Sequence, residues 1–442
     1  MPTDRFATLA AQIGALPRIR RFGRIAEVGR GTIRLAGGGP DWRIGDRVAA
    51  GEPDGARWSG EIVGFDESAV VVMADAAPVG VAPGDRAELL GAAGIAPDDS
   101  WLGRVIDPYG QPLDGRQLHR GPLERALRAA PPEPAQRRRL GPRLETGLRV
   151  FNTLLPLVRG QRLGIFAGSG VGKSTLMGHL ARNVPADVAV IALIGERGRE
   201  LREFVESVLG PAGLQRAVVV AATSDQSPLT RRRCAWAAMA VAEHFRDRGQ
   251  HVLFLADSIT RLAEAHREVA LAAGEPPSLR GFPPSTAHLV MALAERAGPG
   301  HGSAGDITAL FTVLVAGSDM DEPVADILRG VLDGHVVMDR RIAERGRFPA
   351  IDLLRSVSRS LPEAADARQN GLIAHARRLL GAYEHAEMMI RAGLYMRGTD
   401  PQVDAAVKVH DDLDRFLGEA EPGNAADSFD ALAQILARAG AG

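Results

Sequence analysis

Of the 53 basic side chains in this 442-residue chain, only Lys173 and Lys408 are lysines; the rest are arginine. One of the two lies in AGSGVGKST, residues 167–175, where a glycine-rich turn joins an apolar run (163–166) to a helical pattern with Leu176 and Leu180 four apart. A turn of this kind can wrap a phosphate. Gly168, Gly170 and Gly172 put no Cβ in the way of converging backbone donors, and the helix start adds unpaired N–H groups and a positive dipole end. Ser169, Val171 and Thr175 complete the cradle, Lys173 can reach the β- and γ-phosphates, and the Ser174 hydroxyl can ligate Mg²⁺. The first glycine of the usual G-x-x-x-x-G-K-S/T pattern is Ala167 here. A chain that writes its ordinary cations as arginine keeps a lysine where a compact ammonium is needed, because a planar guanidinium does not fit the same nest. A nucleotide with Mg²⁺ is the expected ligand.

Cleavage needs more than a cradle. HVLFLAD, residues 251–257, is an apolar strand ending in Asp257, the form expected of a carboxylate placed beside Mg²⁺ at a sheet edge. VAVIALIGERGRE, residues 188–200, is a second apolar strand followed by Gly195 and Glu196, and an acid there could orient and activate the attacking water. Arg197 could hold a phosphate, or could pair with Glu196 or Glu200 as part of a surface ion-pair cluster.

These residues need a sheet behind them. From residue 146 apolar runs at 163–166, 188–194, 217–222, 251–256 and 308–315 alternate with helical patterns, which predicts a mostly parallel α/β sheet covered on both faces. Before it, residues 20–95 break into short apolar stretches divided by glycine and turn residues, the texture of a small β-barrel. Phe6, Leu9, Ile13 and Leu16 predict an amphipathic helix over 4–16, within an N-terminal segment 1–19, that either packs on its own domain or docks elsewhere. After residue 360 the strands stop, and 367–394 and 401–417 read as amphipathic helices. The expected division is therefore 1–19, barrel 20–95, P-loop domain 96–365 and helical domain 366–442. The three adjacent arginines 137–139 read as a solvated face.

A net charge of −1 gives no global attraction to nucleic acid or anionic membrane. The acids and arginines of the barrel region are nearly balanced, and its aromatics are not interleaved with a basic run, so a single-strand nucleic-acid platform is not indicated. The single cysteine, Cys234, rules out an internal disulfide and fits a reducing cytoplasm.

The runs GIFAGSGVGKST, IGERGRE, FLADSITR, AGEPPSLRGFPPS, FTVLVAGSDMDEPVADILRGVLDGHVVMDR and RFPAIDLLRSVSR, in this order, resemble the export ATPases of flagella and type III secretion systems. Those proteins are similar to the catalytic subunit of rotary ATP synthases. The resemblance covers nearly the whole chain from residue 20. It implies Lys173 on the phosphates, Ser174 on Mg²⁺, Glu196 polarising the water, Arg197 near the γ-phosphate and Asp257 as the Mg²⁺-side carboxylate. It also implies a phosphate-side role for Arg261. Phe348 falls at the position that packs on adenine, where relatives often carry Tyr; stacking needs only the ring. Arg359, in SVSR, resembles an arginine finger inserted into a neighbour's site. Asp326 and Arg329 read as subunit or domain salt bridges rather than chemistry.

The resemblance further implies a Mg²⁺-dependent ATP hydrolase acting as a homohexamer in the cytoplasm, peripherally associated with an inner-membrane export apparatus. Its implied partners are a stator-like regulator at the N-terminus, a membrane export gate, a central stalk protein, and export substrates or their chaperones. An RNA translocase with the same core is disfavoured by the neutral barrel region. An ATP synthase catalytic subunit would need its finger from another chain, whereas Arg359 and Glu196 lie on one. A non-catalytic nucleotide-binding scaffold would lack Glu196.

Overall fold

The computed structural model describes residues 19–439 except 30, 51–57, 67–68, 93, 316–319 and 422. The helix expected over 4–16 lies outside the described residues. The first six strands, β1 (Arg21–Val28), β2 (Thr32–Ala36), β3 (Asp46–Ala50), β4 (Trp58–Phe65), β5 (Val70–Ala74) and β6 (Arg86–Ala92), close into an antiparallel barrel of order β1-β2-β5-β4-β3-β6. Alternation decides what points inward. In TIRLA the apolar Ile33 and Leu35 are fully buried while Thr32 and Arg34 are not. Ile25, Val48, Trp58, Ile62 and Val72 fill the rest of the barrel core.

Two short strands, β7 (Gly94–Ile95) and β9 (Arg125–Ala126), pair as a ribbon beside the barrel. The central sheet contains β8 (Arg104–Ile106), β10 (Arg162–Ala167), β11 (Val188–Glu196), β12 (Ala217–Thr223), β13 (His251–Asp257), β15 (Asp306–Leu314), β16 (Gly334–Met338) and β17 (Ile351–Ser358). Their order is β17-β16-β10-β15-β13-β11-β12-β8, with the two-residue β14 (Gly298–Pro299) alongside β15. All neighbours along that order are parallel except β16 and β17. Val188–Glu196 is buried at every position but the last, as expected of a strand covered on both faces.

The helices that matter for the site are α1 (Lys173–Asn183), α2 (Pro228–Arg246) and α3 (Ile259–Ala272); the chain ends in α4 (Ala367–Arg391), α5 (Pro401–Gly418) and α6 (Ala425–Ala439). Cys234, in α2, is fully buried, with its Sγ 3.4 Å from the Val220 carbonyl. The barrel is fastened to the start of α2 by a largely buried polar network. Arg47 and Asp75 form an ion pair, and the Tyr109 hydroxyl lies 3.0 Å from Asp75 and 3.2 Å from the Thr230 hydroxyl. Nearby, Arg232 of α2 reaches Glu61 of β4 at 2.9 Å.

Five expected strands are present, each within two residues of its expected ends, but β8, β16 and β17 were not expected. β8 is three residues inside a turn-rich stretch. β17 is an edge strand whose exposed positions include Arg355 and Val357, so it lacks a continuous apolar run. α6 is a further helix beyond the two expected. The arginines at 137–139 are not simply a solvated face. Arg137 is only partly exposed and donates to the Ala297 carbonyl at 2.9 Å, and Arg138 pairs with Asp306 at 2.7 Å. A guanidinium fork satisfies several loop carbonyls at once, which a charge count cannot anticipate.

Candidate active site

Between Ala167 and Lys173 the chain turns through Gly170 and Gly172, whose φ angles of +78° and +85° suit glycine alone. A Cβ at Gly172 would also meet Phe348 Cδ1 at 3.2 Å. Val171 is 1% exposed and pins the loop into the core, while Ser169, Gly170, Ser174 and Thr175 face outward. The helix ladder starts with the Leu176 N–H donating to the Gly172 carbonyl at 3.0 Å. The amides of Lys173, Ser174 and Thr175 are therefore first-turn donors with no intrahelical acceptor, converging on one spot at the positive end of α1.

Lys173 closes on Asp257, which ends β13 two strands away, and the two form an ion pair. The same Asp257 oxygen accepts a 2.6 Å hydrogen bond from the Thr312 hydroxyl. Asp257 is 3% exposed, so these donors stabilise a charge that burial would otherwise penalise.

Glu196 reaches the same edge by a local device. The register of β11 against β12 slips between Ile194 and Glu196, and Gly195 in between has φ of +69°. A bulge with glycine at its left-handed residue re-aims the following side chain. Burial pushes the Glu196 carboxyl up to about 7; the Asp257 charge adds to this, Lys173 opposes it, and a hydrogen bond with Glu200 adds further. A carboxylate poised near neutrality can take a proton from water and return it.

Arg261, in the first turn of α3, packs beside Gly195: a Cβ there would lie 3.4 Å from Arg261 Cβ. Its guanidinium pairs with Glu264 at 2.9 Å. Arg197 is largely exposed and lies 3.6 Å from Glu200, the ion-pair alternative considered for it. Phe348 is 52% exposed beside Gly172. Asp326 and Arg329 pair with each other at 2.9 Å, one turn apart on the helix Pro323–Val331.

Arg359 is not among this group. It follows β17, and its N–H donates to the Asp333 carbonyl, while the Asp333 N–H donates to the Arg162 carbonyl. Arg359 is thus level with the start of β10, whereas the phosphate loop follows the end of that strand. Five steps of strand separate the two levels, about 17 Å, which is beyond an arginine's reach. Thr312 was not anticipated: a lone threonine in the apolar run ALFTVL carries no signal until β15 is placed between β10 and β13.

Among the described residues no group of three or more His, Cys, Asp or Glu side chains is placed to hold a metal ion. Mg²⁺ takes one or two protein oxygens and fills its shell with water and substrate phosphates. Ser174 and Asp257 are the oxygen donors at the loop, and a Cβ-free cradle lies beside them.

Comparison with known proteins identifies the family. Residues 147–358 match the ATP synthase alpha/beta family, nucleotide-binding domain, and residues 365–434 match the T3SS EscN ATPase C-terminal domain. The flagellum-specific ATP synthase of Caulobacter vibrioides is 44% identical, with 97% of this chain and 99% of that protein covered. The type 3 secretion system ATPase of Pseudomonas savastanoi pv. phaseolicola is 43% identical, with 97% of each covered. The assembled ATPase EscN from the enteropathogenic E. coli type III secretion system superposes with a TM-score of 0.87 at 37% identity, covering 94% of this chain and all of that one. A matching parallel-sheet core, an N-terminal barrel and a C-terminal helical domain all coincide with the order read from the motifs, and the chain belongs to the family of flagellar and type III secretion ATPases.

Proposed function

We propose that this chain hydrolyses ATP with Mg²⁺ to energise protein export, as one subunit of a homohexameric ring whose catalytic sites lie between neighbours. The barrel (20–95), the P-loop body (96–365) and the helical end (366–442) are its working units. In this reading Lys173 leaves Asp257 for the β- and γ-phosphate oxygens, and the first-turn amides of α1 hold the phosphates in place. Ser174 and Asp257 hold the Mg²⁺, which when bound neutralises charge on the phosphates. Glu196 orients the attacking water and takes its proton, and the Phe348 ring packs on the adenine. Arg261 supports the phosphate side, and Arg197 swings from Glu200 towards the γ-phosphate. The neighbouring copy inserts Arg359 to stabilise charge on the transferred phosphoryl group.

The observation that carries the reading is the separation just described: Lys173, Glu196 and Asp257 share one sheet edge, and Arg359 lies at the other. One solved relative is EscN in complex with its central stalk EscO, which supports a stalk-type partner for this chain too. A stator-like regulator, an export gate and export substrates or chaperones complete the proposed partners, with the ring held peripherally at the inner membrane. Among the described residues no helix is long and apolar enough to cross a membrane.

The test is ATPase rate for wild type, Arg359→Ala, Glu196→Gln and an equal mixture of the two variants. Each variant alone should be nearly inactive, the loss of the finger costing about 10³–10⁵ in rate. In the mixture about a quarter of interfaces regain both groups if subunits assemble at random, so activity should partly return. A mixture no more active than its components would remove the shared site.

A further inference from the structure

Thr312 lies near the C-terminal end of β15, one residue past the pairing of Phe311 with Ala256, which brings it opposite Asp257. It is 0% exposed, and its Oγ1 donates to Asp257 Oδ1 at 2.6 Å. Lys173 Nζ bonds the same oxygen. One carboxylate oxygen thus has two donors of different kinds, one a mobile cation on a long stem and the other a hydroxyl on a β-branched side chain with a stiff χ1.

The two donors differ in what nucleotide does to them. Phosphates compete for the Lys173 ammonium, so nucleotide entry draws the ion-pair partner away from a carboxylate that is 3% exposed. Thr312 has no such competitor. Its backbone pairs with Ile165 of β10, and the residue before it, Phe311, pairs with Ala256 of β13. We propose that Thr312 is a positioning residue for the reaction: it pins Asp257 Oδ1 while Lys173 transfers to the phosphates, so that the carboxylate keeps its orientation towards the cation. This rests on the reading of Asp257 as the Mg²⁺-side carboxylate.

The experiment measures binding of a fluorescent ADP with and without Mg²⁺ for wild type, Thr312→Val, Thr312→Ser and Asp257→Asn, with thermal melting of each. Thr312→Val should leave Mg²⁺-free binding unchanged but cut the tightening produced by Mg²⁺ by about tenfold, the scale typical of groups that orient metal ligands. Thr312→Ser, which keeps the hydroxyl, should restore most of that tightening. A purely structural role would instead lower the melting temperature and weaken both binding measurements together. Wild-type tightening in Thr312→Val, or equal loss in the Val and Ser variants, overturns the proposal while Asp257→Asn still loses the Mg²⁺ effect. If Asp257→Asn keeps the full Mg²⁺ effect, the underlying reading of Asp257 falls as well. Should Thr312→Val fail to fold, Thr312→Ala removes the same hydroxyl with less bulk and is judged by the same outcomes.

Discussion

The two edges of the central sheet make a clear contrast. At the edge where β10, β11 and β13 end, side chains from three strands and a helix converge. They are buried or partly buried and packed on one another: Asp257 carries both Lys173 and Thr312, and Glu196 is raised by burial and by that same Asp257. At the opposite edge Arg359 stands exposed, its guanidinium donating to the Arg329 carbonyl at 3.2 Å. One edge gathers its groups from within the chain, and the other carries a cation at the surface. A buried charged cluster is preorganised for its ligand, whereas an exposed arginine gains its value only when something desolvates it.

The strongest way to break this contrast is nucleotide binding by dilute protein. Lys173→Ala should weaken ATP affinity by a hundredfold or so, since it removes a charge-assisted contact and leaves Asp257 buried without its cation. Arg359→Ala under the same conditions should bind as wild type; a comparable loss there would mean that the two edges act on one nucleotide within one chain.

The pH profile tests the inner edge more finely. In the proposed role Glu196 must be ionised to accept a proton, so kcat/KM should rise with pH through about 7. Glu200→Gln removes a neighbouring charge and alters the hydrogen bond that raises Glu196, and should move that limb to lower pH. Stability should run the other way. The folded chain keeps the Glu196 proton up to about 7, while the unfolded chain loses it near the ordinary carboxylate value of 4.5. Between these values the folded state binds more protons, so stability falls as pH rises, and Glu196→Gln should flatten that part of the curve in urea titrations. The smallest expected effect lies outside both edges: Tyr109→Phe, which removes the hydroxyl between Asp75 and Thr230, should cost about 1 kcal/mol in stability with kcat little changed.

How far the sequence exposed this arrangement depended on the kind of signal. The phosphate loop was legible because glycine spacing and a rare lysine both follow from what a phosphate needs. Asp257 and Glu196 were legible as acids at strand ends, since strands buried on both faces write themselves as apolar runs. Thr312 was not, because its meaning lies in a neighbour 55 residues away in the chain. β17 was hidden by its edge position, and with it the level at which Arg359 sits. The arginines at 137–138 misled because their partners, backbone carbonyls and Asp306, lie far along the chain. Local chemistry can be read from order alone, but pairing across a sheet needs the register.

Cys234 has a use beyond packing. The chain has one thiol, sealed between α2 and the sheet, and burial pushes its ionisation up, so a thiol reagent finds almost nothing to attack in the native protein. The rate at which a disulfide dye reacts with it in rising denaturant would therefore time the opening of that helix–sheet interface, without any engineered label. For the same reason, a cysteine introduced on the outward edge beside Arg359 would be the only one labelled. Fluorophores placed there could report when two copies meet, with the native Cys234 left in place.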